Sequence, residues 1–196
     1  MFQSAHFSNW YQTLAVDLAG YGRSPDIEIG IRTSDQAEAC WALLDAQGHD
    51  KVILQGNSLG HLVTLHMVRQ QPDRVLALVV SGCGYVSKPD GFLGWMRRYQ
   101  NEGIKVRREQ IFDHFAPAAR EYAYLKHYAD MVVATNHERT VANLIAMNEG
   151  LSHLDGDSIY EAIKCPTLII AGISKVMWKT ITNIVNVAFA LAQMEM

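Results

Sequence analysis

The stretch that decides the fold reads Val52-Ile53-Leu54-Gln55-Gly56-Asn57-Ser58-Leu59-Gly60-His61-Leu62-Val63. Val52, Ile53 and Leu54 form a short apolar run of the kind a buried strand needs. From Leu59 onward the apolar residues Leu59, Leu62, Val63 and Met67 recur at helical spacing, and Pro72 closes the segment. Only Gln55 to Ser58 separate the two periods, so the chain must turn sharply there. Gly56-Asn57-Ser58-Leu59-Gly60 fits the pattern G-x-S-x-G, which a chain of this length shows by chance about once in twenty sequences. Placed between a strand and a helix, it acquires a mechanical meaning. Such an elbow projects the serine oxygen above the sheet. Glycines on both sides of Ser58 would let backbone and helix approach without a Cβ clash. The Leu59 N–H, at the helix start, is positioned to donate to a developing oxyanion.

Working outward, the first part of the chain alternates strand-like and helix-like segments. Leu14-Ala15-Val16 is a short apolar run that ends in Asp17 and the turn-rich Gly20-Tyr21-Gly22-Arg23-Ser24-Pro25. Thr33 and Gln36 form a capping box that opens a helix through Trp41, Leu43 and Leu44, stopping at Gly48. Val75 to Val80 is nearly all apolar, as a strand covered on both faces would be. Strand, helix, strand, helix, strand predicts a parallel α/β sheet. Strand-like runs then disappear and charged helical stretches take over, Trp95 to Phe115 and Ala118 to Gly150. Cys165-Pro166-Thr167-Leu168-Ile169-Ile170-Ala171-Gly172 returns as one more buried strand. The expected organisation is a core over residues 1–87, a helical cap insertion over 88–158, a resuming core strand over 159–174 and a divergent tail over 175–196. Within the tail, Ile181, Ile184, Val185, Ala188 and Leu191 fall on one helix face.

Composition narrows the functional classes. The 196 residues carry 17 Lys+Arg against 20 Asp+Glu, a formal charge of −3, which argues against a dedicated nucleic-acid binder. Apolar residues make up 49%, enough for a core. The stretch Met177 to Met196 is broken by Lys179, Asn183 and Asn186 and is too polar to span a membrane. No signal-peptide pattern opens the chain, and Cys40, Cys83 and Cys165 are too scattered for a disulfide framework or a C-x-x-C site; both point to a reducing, cytoplasmic setting.

With the elbow in place, the chain resembles the α/β-hydrolase family, in the serine branch that holds esterases, lactonases and carbon–carbon bond hydrolases. Besides the elbow, Ala15-Val16-Asp17-Leu18-Ala19-Gly20-Tyr21-Gly22-Arg23-Ser24 resembles the turn after the family's fourth strand. Ile163 to Gly172 resembles the strand that follows a cap domain. The resemblance implies an α/β fold with a mostly parallel, incomplete sheet and an inserted helical cap. It also implies a small-molecule substrate or ligand, no cofactor and no metal. Ser58 would be the nucleophile, Leu59 the backbone oxyanion donor, and Gly56, Asn57 and Gly60 the frame of the elbow.

The sequence departs from that pattern in ways that carry chemistry. A serine hydroxyl needs a histidine base oriented by a carboxylate. Gly172 is followed by Ile173-Ser174-Lys175-Val176-Met177-Trp178 with no acid, the sole later acid is Glu195, and no histidine follows His153. Ser81-Gly82-Cys83-Gly84-Tyr85 has no carboxylate either, and Asp90 is the first candidate there. Neither acid nor base is identifiable. The family's first strands and His-Gly oxyanion loop have no counterpart, so a fragment truncated at both ends is expected. The missing third strand would lie between those carrying Val16 and Ile53, leaving their edges open.

Other features are weaker. His137-Glu138 begins like H-E-x-x-H, but residue 141 is valine; His61 and His66 are five apart and share no helix face. His114, His127, His137 and His153 fall in the insertion. Gly82-Cys83-Gly84 lacks the third glycine of a dinucleotide loop. Arg97, Arg98, Lys105, Arg107 and Arg108 read as a solvated cap face, and Asp17, Arg23 and Ser24 as turn-fixing groups. The function expected is a serine hydrolase of small esters, lactones or C–C substrates, impaired as the chain stands. The alternative is a non-catalytic hydrolase-fold protein that binds a small molecule or a partner chain.

Overall fold

The structure, a computed structural model, describes residues 2–25, 32–81, 90–103, 105–113, 120–135, 156–170 and 187–189. Its centre is a four-stranded sheet in the order β1-β2-β3-β4, built from Val52–Asn57, Val75–Ser81, Thr167–Ile170 and Val187–Phe189. Every neighbouring pair runs parallel. Parallel strands need crossovers, and a helix supplies the first of them, α3 (Leu59–Gln70), between β1 and β2. It buries His61, Leu62, Val63, Thr64, Leu65, Met67 and Val68. The preceding helix α2 (Thr33–Ala46) packs beside it with Ala37, Cys40, Trp41 and Leu44 in the same core as Leu54, Leu78 and Val80. A short α1 (Phe2–Phe7) opens the chain, and a 3-10 turn over Pro72–Arg74 leads from α3 into β2.

Three expectations change. Leu14-Ala15-Val16 forms no strand: residues 12–18 have no regular structure, and Leu14 and Val16 are 44% and 41% exposed. Among the described residues β1 forms one edge of the sheet, and the apolar run at Leu14 does not pair with it, which leaves Ile53 48% exposed. Gln36 does not cap α2. Its amide instead clamps the backbone of Ala19, accepting from the Ala19 N–H at 3.0 Å and donating to its carbonyl at 2.9 Å. The start of α2 is fixed by Asp35, whose carboxylate accepts the Arg32 N–H at 2.8 Å. In the tail, Val187-Ala188-Phe189 is a strand against β3 and not part of a helix, as a β-branched and an aromatic residue at an open parallel edge would favour. Ile181, Ile184, Val185 and Leu191 lie outside the described residues.

Between β2 and β3 come the helices α4 (Asp90–Glu102), α5 (Lys105–Asp113), α6 (Ala123–Thr135) and α7 (Gly156–Glu161). The charged helical stretch from Trp95 to Phe115 holds parts of two helices, α4 and α5, with a break where Gly103 adopts φ +77° and its N–H donates to the Tyr99 carbonyl. Two residues of the basic face pair with acids of these same helices: Arg98 with Glu102 and Glu109, and Arg108 with Asp130. The described end of the Ala118–Gly150 stretch is α6, and the rest lies outside the described residues.

Candidate active site

In α/β sheets, ligands meet the carboxyl ends of parallel strands. At that end Asn57, Ser81 and Ile170 lie side by side, since Ser81 is in register with both of the others. Ser58 follows directly and is exposed. It has φ +51° and ψ −117°, and no other non-glycine residue with positive φ occurs among the described residues. Such a conformation costs about 1–3 kcal/mol and persists where the surroundings over-determine it.

The surroundings here do so. The Ser58 N–H donates to the Ser81 carbonyl at 3.1 Å, and the Ser58 carbonyl accepts the His61 N–H at 3.0 Å, opening α3. Asn57 Nδ2 donates to Ser81 Oγ at 2.9 Å. The Ser58 side chain makes no capping bond to α3, so its oxygen is not tied to the helix end. Leu59 is the first residue of that helix, where an N–H has no intrahelical acceptor and sits in the positive end of the helix dipole. Two glycines flank the turn, but their roles differ. A Cβ on Gly56 would lie 2.4 Å from the Gly60 carbonyl oxygen and 2.7 Å from the His61 nitrogen, whereas one on Gly60 would meet nothing within 4 Å. Gly56 alone is demanded by the close approach.

A sequence profile described as the alpha/beta hydrolase fold matches residues 4–174. The chain belongs to the α/β-hydrolase fold family. RutD of Variovorax paradoxus, whose name carries a carbamate hydrolase designation, is 31% identical over 170 residues, covering 82% of this chain and 62% of its own length. A 2-hydroxy-6-oxononadienedioate/2-hydroxy-6-oxononatrienedioate hydrolase of Dechloromonas aromatica is 34% identical over 97 residues, 49% of this chain and 32% of its own. This hydrolase-family chain thus spans less than two thirds of the curated relatives it matches. Among solved structures, a thermophilic esterase of Thermogutta terrifontis superposes with TM-score 0.81 at 18% identity, over 97% of this chain and 74% of the esterase. An enol-lactonase of Burkholderia xenovorans gives TM-score 0.81 at 18% identity, over 97% and 75%.

The turn at residues 17–25 is held by Asp17 and Ser24. The Asp17 carboxylate accepts the Arg23 N–H at 3.2 Å, and Ser24 Oγ donates to the Asp17 carbonyl at 2.6 Å. Tyr21, within this turn, is half-buried with its hydroxyl enclosed, and that burial raises its phenol well above the ordinary range. No third glycine, dinucleotide loop or H-E-x-x-V reading can be placed, because residues 82–89 and 136–155 lie outside the described residues, with Cys83, His137 and His153; His114 lies outside them too. Cys40 is buried, which pushes its thiol up and keeps it protonated. Among the described residues no group of three or more His, Cys, Asp or Glu could hold a metal ion, and no helix is long and apolar enough to cross a membrane.

The histidines of α3 are turned to structure. The His61 ring is buried, edge-on to Tyr160 of α7 with centroids 6.2 Å apart. His66 has its Nε2 buried without a hydrogen-bond partner among the described residues, and burial, with Arg69 adding repulsion, lowers its pKa despite the opposing pull of Asp35. His127 is exposed on α6. A lowered folded pKa means that the unfolded chain binds the proton more tightly, so the neutral ring's contribution is complete above the unfolded value of 6.5 and is lost as pH falls below it. Acidification from pH 7.5 to 5.5 should therefore lower the melting temperature, and His66→Gln should flatten that dependence. An equal slope in the two proteins, followed by thermal unfolding at several pH values, would remove His66 from this role.

Proposed function

We propose that the chain carries the nucleophile half of a serine hydrolase acting on a small ester, lactone or carbon–carbon bond substrate. The observation that supports this is the left-handed, exposed Ser58 between β1 and α3, held by Ser81 and sited at the carboxyl end of the sheet. On this reading Ser58 Oγ attacks the substrate carbonyl carbon while its proton passes to a base. The carbonyl oxygen becomes an oxyanion that accepts the Leu59 N–H. Collapse expels the alcohol, or a carbon leaving group, with its proton, and water then cleaves the acyl–serine bond. The names of the relatives favour acyl chemistry of this kind, carbamate and dienedioate substrates being theirs. Base and acid have no assigned residue in this reading, and a serine hydroxyl without them is a weak nucleophile, so slow turnover is the expected result.

A panel of short-chain nitrophenyl esters and small lactones tests the reading. The expected result is slow hydrolysis that Ser58→Ala reduces to the solvent background; equal rates in the two proteins would remove Ser58 as nucleophile. A second reading, a hydrolase-fold protein that binds a small molecule without turning it over, is favoured by one observation: of the histidines nearest Ser58 in sequence, His61 is buried against Tyr160 and His66 is half-buried with its Nε2 enclosed. It predicts saturable binding of the same compounds with no product.

A further inference from the structure

We infer that Ser81 is a positioning residue for Ser58, acting through Asn57, which deepens the proposed function and rests on it. The peptide unit joining Asn57 to Ser58 is anchored on both sides by this one residue. The Asn57 side-chain amide donates to Ser81 Oγ at 2.9 Å, and the Ser58 N–H donates to the Ser81 carbonyl at 3.1 Å. Register makes both bonds possible: Asn57 and Ser81 are Cα partners at the ends of β1 and β2, so the Asn57 amide spans one strand spacing. Ser81 is itself fixed, because it also pairs with Ile170 of β3 in the interior of the sheet.

The mechanical consequence follows from the strain at Ser58. A non-glycine residue at φ +51° relaxes toward negative φ unless the peptide before it is held. The carbonyl bond holds the nitrogen of that peptide, and the hydroxyl–amide bond holds the residue before it. With both in place, the direction in which Cβ and Oγ of Ser58 leave the backbone is set. Ser81→Ala keeps the carbonyl and removes the hydroxyl; Asn57→Ala removes the same bond from the other side; Ser81→Thr keeps a hydroxyl on a side chain suited to a strand.

The test uses a fluorophosphonate probe on the whole chain. Ser58 Oγ forms a bond to phosphorus, fluoride departs, and the hydroxyl proton goes to solvent or base. Expected are a three- to tenfold slower labelling of Ser58 in Ser81→Ala and in Asn57→Ala, a double variant no slower than the slower single one, and recovery in Ser81→Thr, with melting temperatures within a few degrees of one another. Labelling of Ser81→Ala at the parent rate, or fully additive losses in the double variant, would overturn the tether. A parent protein that resists the probe would instead overturn the Ser58 reading. Amide hydrogen exchange at Ser58 then decides the tether by itself: faster exchange in both single variants supports it, and unchanged exchange overturns it.

Discussion

Replacing Gly56 by valine is expected to destabilise the protein by about 3–5 kcal/mol, the range of a severe core change, while Gly60→Ala is expected to be neutral or stabilising by up to about 1 kcal/mol. The two glycines frame the same serine, and the G-x-S-x-G pattern treats them alike. In space they differ. The first Cβ atom on Gly56 would stand 2.4 Å from the Gly60 oxygen, 2.6 Å from its carbonyl carbon and 2.7 Å from the His61 nitrogen. All three are backbone atoms of the first turn of α3, and the last donates the hydrogen bond to Ser58 that opens the helix. None can swing aside as a side chain would, so strand and helix must separate, and the packing of Leu62, Val63 and Leu65 goes with them. Gly60 faces open space and lies inside the helix, where alanine is the better residue. Urea unfolding of the two variants measures both effects. Equal losses would mean that the strand and helix do not meet as described.

Trp41→Ala should cost about 3–5 kcal/mol, as removal of a buried aromatic does. The indole is 2% exposed and joins α2 to α3, its Nε1–H donating to the Met67 carbonyl at 3.2 Å. The Arg74 guanidinium lies over the ring, 4.5 Å from its centroid. That arginine in turn donates to the carbonyls of His49 and Asp50 and pairs with Asp45 at 2.7 Å, tying the end of α2 to the entry of β2. Truncating Trp41 therefore leaves a cavity, a Met67 carbonyl that keeps only its bond from the Gln71 N–H, and an arginine without its platform. Trp41→Phe keeps most of the apolar area and loses the hydrogen bond, for about 1 kcal/mol. Denaturant midpoints for the pair separate the two contributions, and a loss under 1 kcal/mol for Trp41→Ala would contradict the α2–α3 packing.

What could be read in the sequence was what depends on neighbours along the chain. β1, the elbow and α3 follow from one short stretch, because strand period, turn and helix period are all local there. β2 and β3 were legible as apolar runs bounded by turns, and the helical region between them as the loss of such runs. What depends on distant residues was not legible. Leu14 to Val16 looks like a strand but has no ladder beside it, and no local pattern reveals that. Gln36 looks like a capping residue and is spent on Ala19, seventeen positions earlier in the chain. β4 needed the open edge of β3 to declare itself. At the site, Gly56 to Gly60 could be found from spacing alone, whereas Ser81 could not, since nothing marks a serine at a strand end until register sets it beside Asn57. Gly103 did carry a signal, a glycine inside a helical period, and it breaks the helix there.

The central claim is that Ser58 is a nucleophile. The most direct measurement is the site of covalent modification by a fluorophosphonate, read as the mass of each serine-containing peptide after exposure of the intact protein. The expected result is an added phosphonyl mass on the peptide carrying Ser58, absent in Ser58→Ala and absent after denaturation before exposure. No adduct on the folded protein, or one that persists in Ser58→Ala on another residue, would contradict it.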